Sequence, residues 1–330
     1  MEKSEIEIVE YIKNRFPLPE KLGLGIGDDA AIVKLRDAAV FTTDLMIEKI
    51  HFDLSYTSLY HLGFKIVSVN VSDIYAMGGD FKGFLLSLGI PETVNERDLN
   101  ELFDGIKDAL DYYEGYLLGG DLSRSEKLIL SGFALGECEN PVMRKGAQPG
   151  DFIFITSCTG LSSAGFYLLN KLDEKEKAVV KNIRDFQNFN LLNEKIGIPI
   201  NDLLERHLMP KARKPYEFSK FAKAMMDISD GLLIDLFRLC EESKVGAEIY
   251  LEKLPFHPAV VKTAEYLNME PERLILSGGE DYELLVVSSN QNLTAFGLIP
   301  IGKIINQREL FIIDPSKGKI PAKPEGWQHF

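Results

Sequence analysis

Met225-Met226-Asp227-Ile228-Ser229-Asp230-Gly231 carries the pattern that decides the fold. Its apolar start reads as the end of a buried strand over 224–228, and the acids, serine and glycine read as a loop. Helical spacing follows over 231–243, so the stretch is strand, acidic loop, helix. Two earlier apolar runs end in the same way, Val40-Phe41-Thr42-Thr43-Asp44 and Leu117-Leu118-Gly119-Gly120-Asp121. The pattern places each carboxylate at a strand end, on the rim where ligands of open α/β sheets gather.

Working outward, strands and helices alternate along the whole chain. Ser4-x-x-Glu7 reads as a capping box for a helix that Pro17 and Pro19 end. Strands are expected at 30–35, 39–43, 83–90, 116–118 and 127–137. A long helix is expected at 58–77, stopped by Gly78-Gly79, and another from an Asn95 cap to about residue 113. Cys138-Glu139-Asn140-Pro141 reads as a linker. Beyond it, strands are expected at 151–156, 224–228, 247–251, 282–288, 299–304 and 310–313, with charged helical sequence from 162 to about 207. Alternation in both halves means two α/β domains, at 1–140 and 141–330.

The bulk properties narrow the function. The chain has 330 residues, and its 45% hydrophobic content suffices for ordinary buried cores. A net charge of −13 disfavours nucleic acid as a partner, because phosphate backbones need Lys/Arg patches. Cys138, Cys158 and Cys240 are far apart, with no C-x-x-C pair, so neither a disulfide framework nor a thiolate zinc site is indicated. The N-terminus is acidic and lacks a signal-peptide apolar region, and no run is long enough for a membrane span. A reducing cytoplasm is the simplest compartment.

Gly25-Ile26-Gly27-Asp28-Asp29-Ala30-Ala31 presents a puzzle. A glycine loop is where backbone N–H groups approach phosphate, but two adjacent carboxylates would repel one. At 4 Å, like charges cost about 4 kcal/mol at an effective dielectric of 20. Divalent cations resolve the conflict, since Mg²⁺ is commonly held by a few carboxylates plus substrate phosphates. Asn70 and Asp73, three apart on the long helix, project from one face. Together these acids form a set able to converge on several metal ions. No EF-hand loop and no Walker A pattern is present.

Other residues have two readings each. Arg144-Lys145 could reach a phosphate oxygen, or be an ordinary solvated pair. Arg206-His207, Lys211, Arg213 and Lys214 form the densest basic cluster, an anion site or a solvated face. Ser277-Gly278-Gly279-Glu280-Asp281-Tyr282 is a functional loop or a tight turn. His51 could contact a substrate or be structural. Trp327, the only tryptophan, is a core anchor or a flat surface for an aromatic ligand.

Taken in order, these motifs resemble the thiamine-monophosphate kinase family. The resemblance rests on Gly25 to Ala31, Thr42-Thr43-Asp44, Asn70-Val71-Ser72-Asp73-Ile74-Tyr75-Ala76-Met77-Gly78-Gly79, Gly119-Gly120-Asp121, Arg144-Lys145-Gly146-Ala147, Asp227 to Leu232 and Ser277-Gly278-Gly279-Glu280-Asp281-Tyr282-Glu283-Leu284. The last run and His51-Phe52 resemble the thiamine-phosphate branch of a superfamily that includes aminoimidazole ribonucleotide synthetase and selenophosphate synthetase. The resemblance implies a two-domain α/β fold with mixed sheets, and a homodimer whose N-terminal strands form a shared barrel. It implies phosphoryl transfer from ATP to thiamine monophosphate, assisted by several Mg²⁺ ions. It assigns Asp29, Thr42, Thr43, Asp44, Asp73, Asp121, Asp227 and Asp230 to metal, and Gly120, Asp121, Arg144 and Ser229 to ATP. It assigns His51, Glu280 and Trp327 to substrate, with Asp28 left to hold the turn and Arg144 to stabilise the transferring group. No cysteine precedes Cys138, which argues against the selenide-activating branch. Another synthetase of the superfamily, or a Mg-nucleotide module that never consumes ATP, are the rival readings. The chain departs from the pattern in a longer helical region at 170–200, and in Phe103 where a tyrosine is expected.

Overall fold

The computed structural model describes residues 5–19, 21–26, 31–186, 197 and 199–328. Asp28 and Asp29 lie outside the described residues, so their expected turn and metal roles do too. In chain order the elements are α1 (Glu5–Arg15), β1 (Gly23–Leu24), β2 (Ile32–Val33), β3 (Ala38–Ile47), α2 (Leu59–Ala76), β4 (Asp80–Ile90), α3 (Glu96–Tyr113), β5 (Tyr116–Arg124) and β6 (Ile129–Cys138). They continue with β7 (Phe152–Ile155), α4 (Leu161–Leu169), α5 (Glu174–Lys181), α6 (Asn201–Leu208), β8 (Ala224–Asp227), α7 (Leu232–Ser243), β9 (Gly246–Tyr250), α8 (Pro258–Leu267) and α9 (Pro271–Ser277). Strands β10 (Leu284–Ser288), β11 (Ile299–Ile305), β12 (Leu310–Asp314) and β13 (Gly318–Ala322) complete the chain. Two compact units form: Met1–Ile74 with Gly79–Glu139 and Asp173–Arg184, and Tyr75–Gly78 with Asn140–Leu172 and Asp185–Phe330.

The first unit holds a four-stranded mixed sheet in the order β3-β6-β4-β5, in which only β4 and β5 run parallel. Helix α2 packs on one face. A Cβ at Gly132 or Gly136 of β6 would strike Asn70 or Ile74 of that helix. Helix α3 starts as expected: Asn95 accepts from the N–H groups of Arg97 and Asp98, and Asp98 reciprocates. It buries Leu99, Leu102, Phe103, Ile106 and Leu110. Phe103 packs 6.0 Å from the Phe16 ring, so the residue that departs from the family pattern is a core side chain here. Helices α2 and α3 cross with backbones touching, because Gly63 and Gly105 leave no side chain at the crossing.

The opposite face of the sheet carries exposed Phe41 and Leu45, with Phe133 against Phe41 at 5.7 Å. Strand β3 runs on through Ile47, and β5 through Arg124, so Asp44 and Asp121 sit within strands rather than at their ends. The reason lies in pairing. Leu45, Met46 and Ile47 keep their partners on β6, and Leu122 to Arg124 keep theirs on β4, so the ladder outlasts the polar residue. Only Asp227 closes its strand as expected.

The second unit is built on a seven-stranded mixed sheet, β13-β12-β9-β11-β7-β10-β8, with β12 and β9 its parallel pair. Strands β8 and β10 are buried along their whole length, which accounts for their unbroken apolar sequence. Phe154, Met225, Leu284, Val286 and Leu293 form part of the core. Three labelled elements of this unit escaped the sequence reading: α8, α9 and β13. Both helices begin with a proline, Pro258 and Pro271, at the position where a missing N–H costs nothing.

Candidate active site

In the first unit the helix-side face of the sheet gathers part of the expected set. Register places Asp44 opposite Gly132, and Thr42 opposite Ala134. Both positions face α2, where the Thr42 hydroxyl donates to Asp73 Oδ2 at 2.5 Å. Thr43 alternates to the other face and donates its hydroxyl to the Gly132 carbonyl at 2.8 Å. Asp121 pairs with Ser87, which pairs with Ser131 and then Leu45, so it too belongs to the face away from α2. The expected acids of this unit therefore divide between two faces. Gly120 fits tightly against β4, since a Cβ there would meet the Leu86 carbonyl. His51, in the turn after β3, accepts the Ile47 N–H on Nδ1 at 3.0 Å.

In the second unit two segments converge on the loop after β8. The Glu280 N–H donates to the Ser229 carbonyl at 2.6 Å, and the Tyr282 N–H to the Ile228 carbonyl at 2.9 Å. Glu280 and Tyr282 have φ values of 64° and 52°, a left-handed conformation that non-glycine residues hold only under constraint. Gly231, at φ 134°, and Gly279 allow the two loops to interlock, because side chains there would strike the carbonyls of Ser277 and Ser229. The C-terminal segment closes on the same loop: the Trp327 N–H donates to the Asp230 carbonyl at 2.9 Å, with the indole half exposed. The 277–282 stretch is thus a conformationally constrained loop held against the loop after β8, and Trp327 is no core anchor.

Two residues that the sequence reading did not single out hold this geometry. Asp235, fully buried in the first turn of α7, accepts on Oδ2 from the N–H groups of Ser229, Asp230 and Gly231 at 3.0–3.1 Å. Burial pushes its carboxyl up to about 6. Arg238 bridges Asp235 Oδ1 at 2.8 Å and Asp230 Oδ2 at 2.5 Å. An acid in the first turn of a helix beginning at the acidic loop was the available signal.

The basic cluster is partly turned inward. Arg206 donates to the Asp281 carbonyl and to Glu283 Oε1, and Arg213 and Thr156 bind Glu283 Oε2. Burial works to raise the Glu283 carboxyl, but the two guanidiniums hold it below its ordinary range. Asp281 caps the start of α4 through the N–H groups of Gly160 and Ser162, and burial pushes it up to about 6. Lys211 pairs with Glu205 at the surface. Arg144 is exposed, and its carbonyl accepts the Ser243 hydroxyl.

No three His, Cys, Asp or Glu side chains among the described residues stand close enough to enclose a metal ion. The donors present are all carboxylate and hydroxyl oxygens, the hard ligands that Mg²⁺ takes. Buried Asn70 Oδ1 finds no hydrogen-bond partner beneath the Asp44 row. Such a set fits a cation that keeps waters and arrives with phosphates, not a closed cage.

Acid-bearing loops and strands on paired mixed-sheet units define a class. Residues 27–138 match the N-terminal domain of AIR synthase related proteins, and 148–314 match the C-terminal domain. A thiamine-monophosphate kinase from Aquifex aeolicus is 36% identical, over 100% of this chain and 99% of its own. The solved structure of AaThiL complexed with AMPPCP and TMP superposes with a TM-score of 0.77 at 34% identity, covering 99% of this chain and 97% of that one. That of a thiamine-monophosphate kinase from Stenotrophomonas maltophilia gives 0.77 at 27% identity, over 94% and 96%. The chain belongs to the thiamine-monophosphate kinase family.

Proposed function

We infer that the chain transfers the γ-phosphoryl group of ATP directly to thiamine monophosphate, giving thiamine diphosphate. The observation that carries this reading is the convergence of the Asp227–Gly231, Glu280 and Trp327 segments in a chain related over its whole length to these kinases. A relative solved with AMPPCP and TMP supports the pairing of a nucleotide with this substrate.

Both reactants carry phosphates, so charge repulsion and alignment are the obstacles, and a phosphate oxygen attacks in line without a protein nucleophile. We assign Mg²⁺ binding to Thr42, Asp44 and Asp73, to Asp121 and Thr43 on the other face, and to Asp227 and Asp230; Asp29 keeps that role on resemblance alone. Bound Mg²⁺ supplies charge neutralisation. Asp230 is held for this task by Arg238 and by the Asp235 clamp. Gly120, Asp121, Ser229 and Arg144 take ATP, with the Arg144 guanidinium stabilising charge on the transferring group. His51, Glu280 and Trp327 take the organic part of the substrate.

We also propose a homodimer through the sheet face that exposes Phe41 and Leu45, since apolar side chains this exposed mark an association surface. No helix among the described residues is long and apolar enough to cross a membrane, and the wide spacing of Cys138, Cys158 and Cys240, with no C-x-x-C pair, supports a reducing, cytoplasmic setting. The test is a coupled assay of ADP release, run with and without thiamine monophosphate and Mg²⁺. Release should require both. Equal release without the substrate overturns the kinase reading.

A further inference from the structure

His207 lies near the end of α6, 6% exposed, and faces the loop that carries Glu280. Its Nδ1 stands 3.3 Å from Glu280 Oε2 and 3.1 Å from the Ser162 hydroxyl. A carboxylate oxygen accepts, so Nδ1 carries the hydrogen, directed between these two oxygens. Ser162 is itself fixed: it is fully buried, and its N–H donates to Asp281 Oδ1 at 3.1 Å. The neighbouring Arg206 is anchored through the Asp281 carbonyl and Glu283, which sets the rotation of α6 and so the direction of the imidazole. Phe166 packs against the His207 ring at 5.6 Å.

Glu280 has a left-handed backbone fixed by the 2.6 Å bond from its N–H to Ser229. Its side chain is about one-third exposed, which leaves the carboxylate accessible to a ligand. A carboxylate repels phosphate and attracts a cation or an amine. Of the two reactants, thiamine monophosphate supplies both, as its thiazolium ring and its aminopyrimidine.

We propose that His207 is a positioning residue for substrate recognition: it fixes the Glu280 carboxylate in the orientation that receives the cationic heterocyclic part of thiamine monophosphate. The proposal rests on the assignment of Glu280 to substrate. It differs from a structural role in what it leaves alone. ATP binding and the chemical step do not depend on this contact, whereas KM for thiamine monophosphate does.

Steady-state kinetics on the full chain test it. His207→Leu should raise KM for thiamine monophosphate about tenfold, the scale of a lost hydrogen bond to a charged group. KM for ATP and kcat should stay within about threefold of the starting enzyme. His207→Asn places an amide N–H where Nδ1–H stood and should restore most of the affinity, whereas His207→Gln places it at the Nε2 position and should not. The His207→Leu/Glu280→Gln double variant should be no worse than Glu280→Gln alone, because His207 acts through that carboxylate. If His207→Leu fails to fold, the Asn and Gln variants carry the comparison. Equal KM for those two, or additive losses in the double variant, overturns the proposal while leaving Glu280 as a substrate residue. A Glu280→Gln variant with unchanged KM overturns both.

Discussion

The Trp327 N–H donates to the carbonyl of Asp230, 97 residues earlier in the chain, at 2.9 Å. This bond, with Gly326 lying against Ile234 and the Asp230 carbonyl, returns the C-terminal segment to the acidic loop. The indole is left 52% exposed, an open flat surface beside a loop assigned to the reactants. Titrating thiamine monophosphate should therefore change the emission of this single tryptophan. Trp327→Ala should raise KM for that substrate roughly threefold to tenfold, the scale of one aromatic stacking contact. Emission unchanged at saturating substrate would count against the stacking role.

Asp44 and Thr42 share the helix-side face of the sheet, and the Thr42 hydroxyl donates to Asp73 on α2. Replacing either acid by asparagine keeps the shape and removes the charge that the proposed cation site requires. Asp44→Asn, Asp73→Asn and Asp121→Asn should each lower kcat by about a hundredfold or more, in line with loss of a group that stabilises transition-state charge. Thermal denaturation should stay near that of the parent. A variant with near-normal turnover removes its residue from the metal set.

What the sequence displayed was set by short-range physics. The Asn95 cap, the α3 apolar face and the continuous apolar runs of β8 and β10 follow from local periodicity and burial, and each stands where expected. The ends of β3 and β5 were hidden, because they depend on partner strands far along the chain. The division of Thr42 and Asp44 from Thr43 and Asp121 is a matter of sheet register, which residue order alone leaves undetermined. The partners of Asp235 and His207 were hidden for the same reason. Their roles arise from what lies across from them, Asp235 against its own loop and His207 against a residue 73 positions away.

His61 supplies a pH test of the first unit. Its ring is fully buried, with Nε2 2.6 Å from the Ile183 carbonyl and Nδ1 accepting the Ser58 N–H at 3.3 Å. Burial lowers its pKa to about 4, well under the ordinary value of 6.5. A depressed pKa means that the unfolded chain binds the proton first, so this stability is present above pH 6.5 and is lost as pH falls through 4. About 2 kcal/mol should go between pH 7 and pH 5. Asp281 works the other way: its raised carboxyl favours folding at low pH, and that contribution fades as pH rises through 6. The readout is therefore a difference between proteins. His61→Gln keeps a donor toward Ile183 and removes the titration, so its urea midpoint should fall less from pH 7 to pH 5 than that of the parent. Parallel profiles would show that His61 does not set the acid limit.

The crossing of α2 and α3 depends on two glycines that meet reciprocally. A Cβ on Gly105 would lie 2.0 Å from the Tyr60 carbonyl oxygen, and one on Gly63 would lie 2.0 Å from the Leu102 carbonyl oxygen. Two effects oppose each other in Gly105→Ala. Helix propensity gains up to about 1 kcal/mol, because alanine loses less backbone entropy than glycine. Against that, the obstacle is backbone and cannot rotate away, so the helices must separate at a tightly packed contact. Overpacking of this kind costs about 1–3 kcal/mol or more, and a clash this deep belongs at the upper end. The clash wins, and Gly105→Ala should destabilise the first unit by roughly 2 kcal/mol. The same separation would shift α2, which carries Asp73, relative to Thr42 on β3. Gly105→Ala should therefore lose activity beyond its loss of folded protein, whereas Gly150→Ala, where no atom lies within 4 Å of the added Cβ, tests positive-φ strain alone. Chemical denaturation of both variants, paired with kcat per folded molecule, separates the two effects. A Gly105→Ala protein as stable as the parent would mean that the helices part without cost.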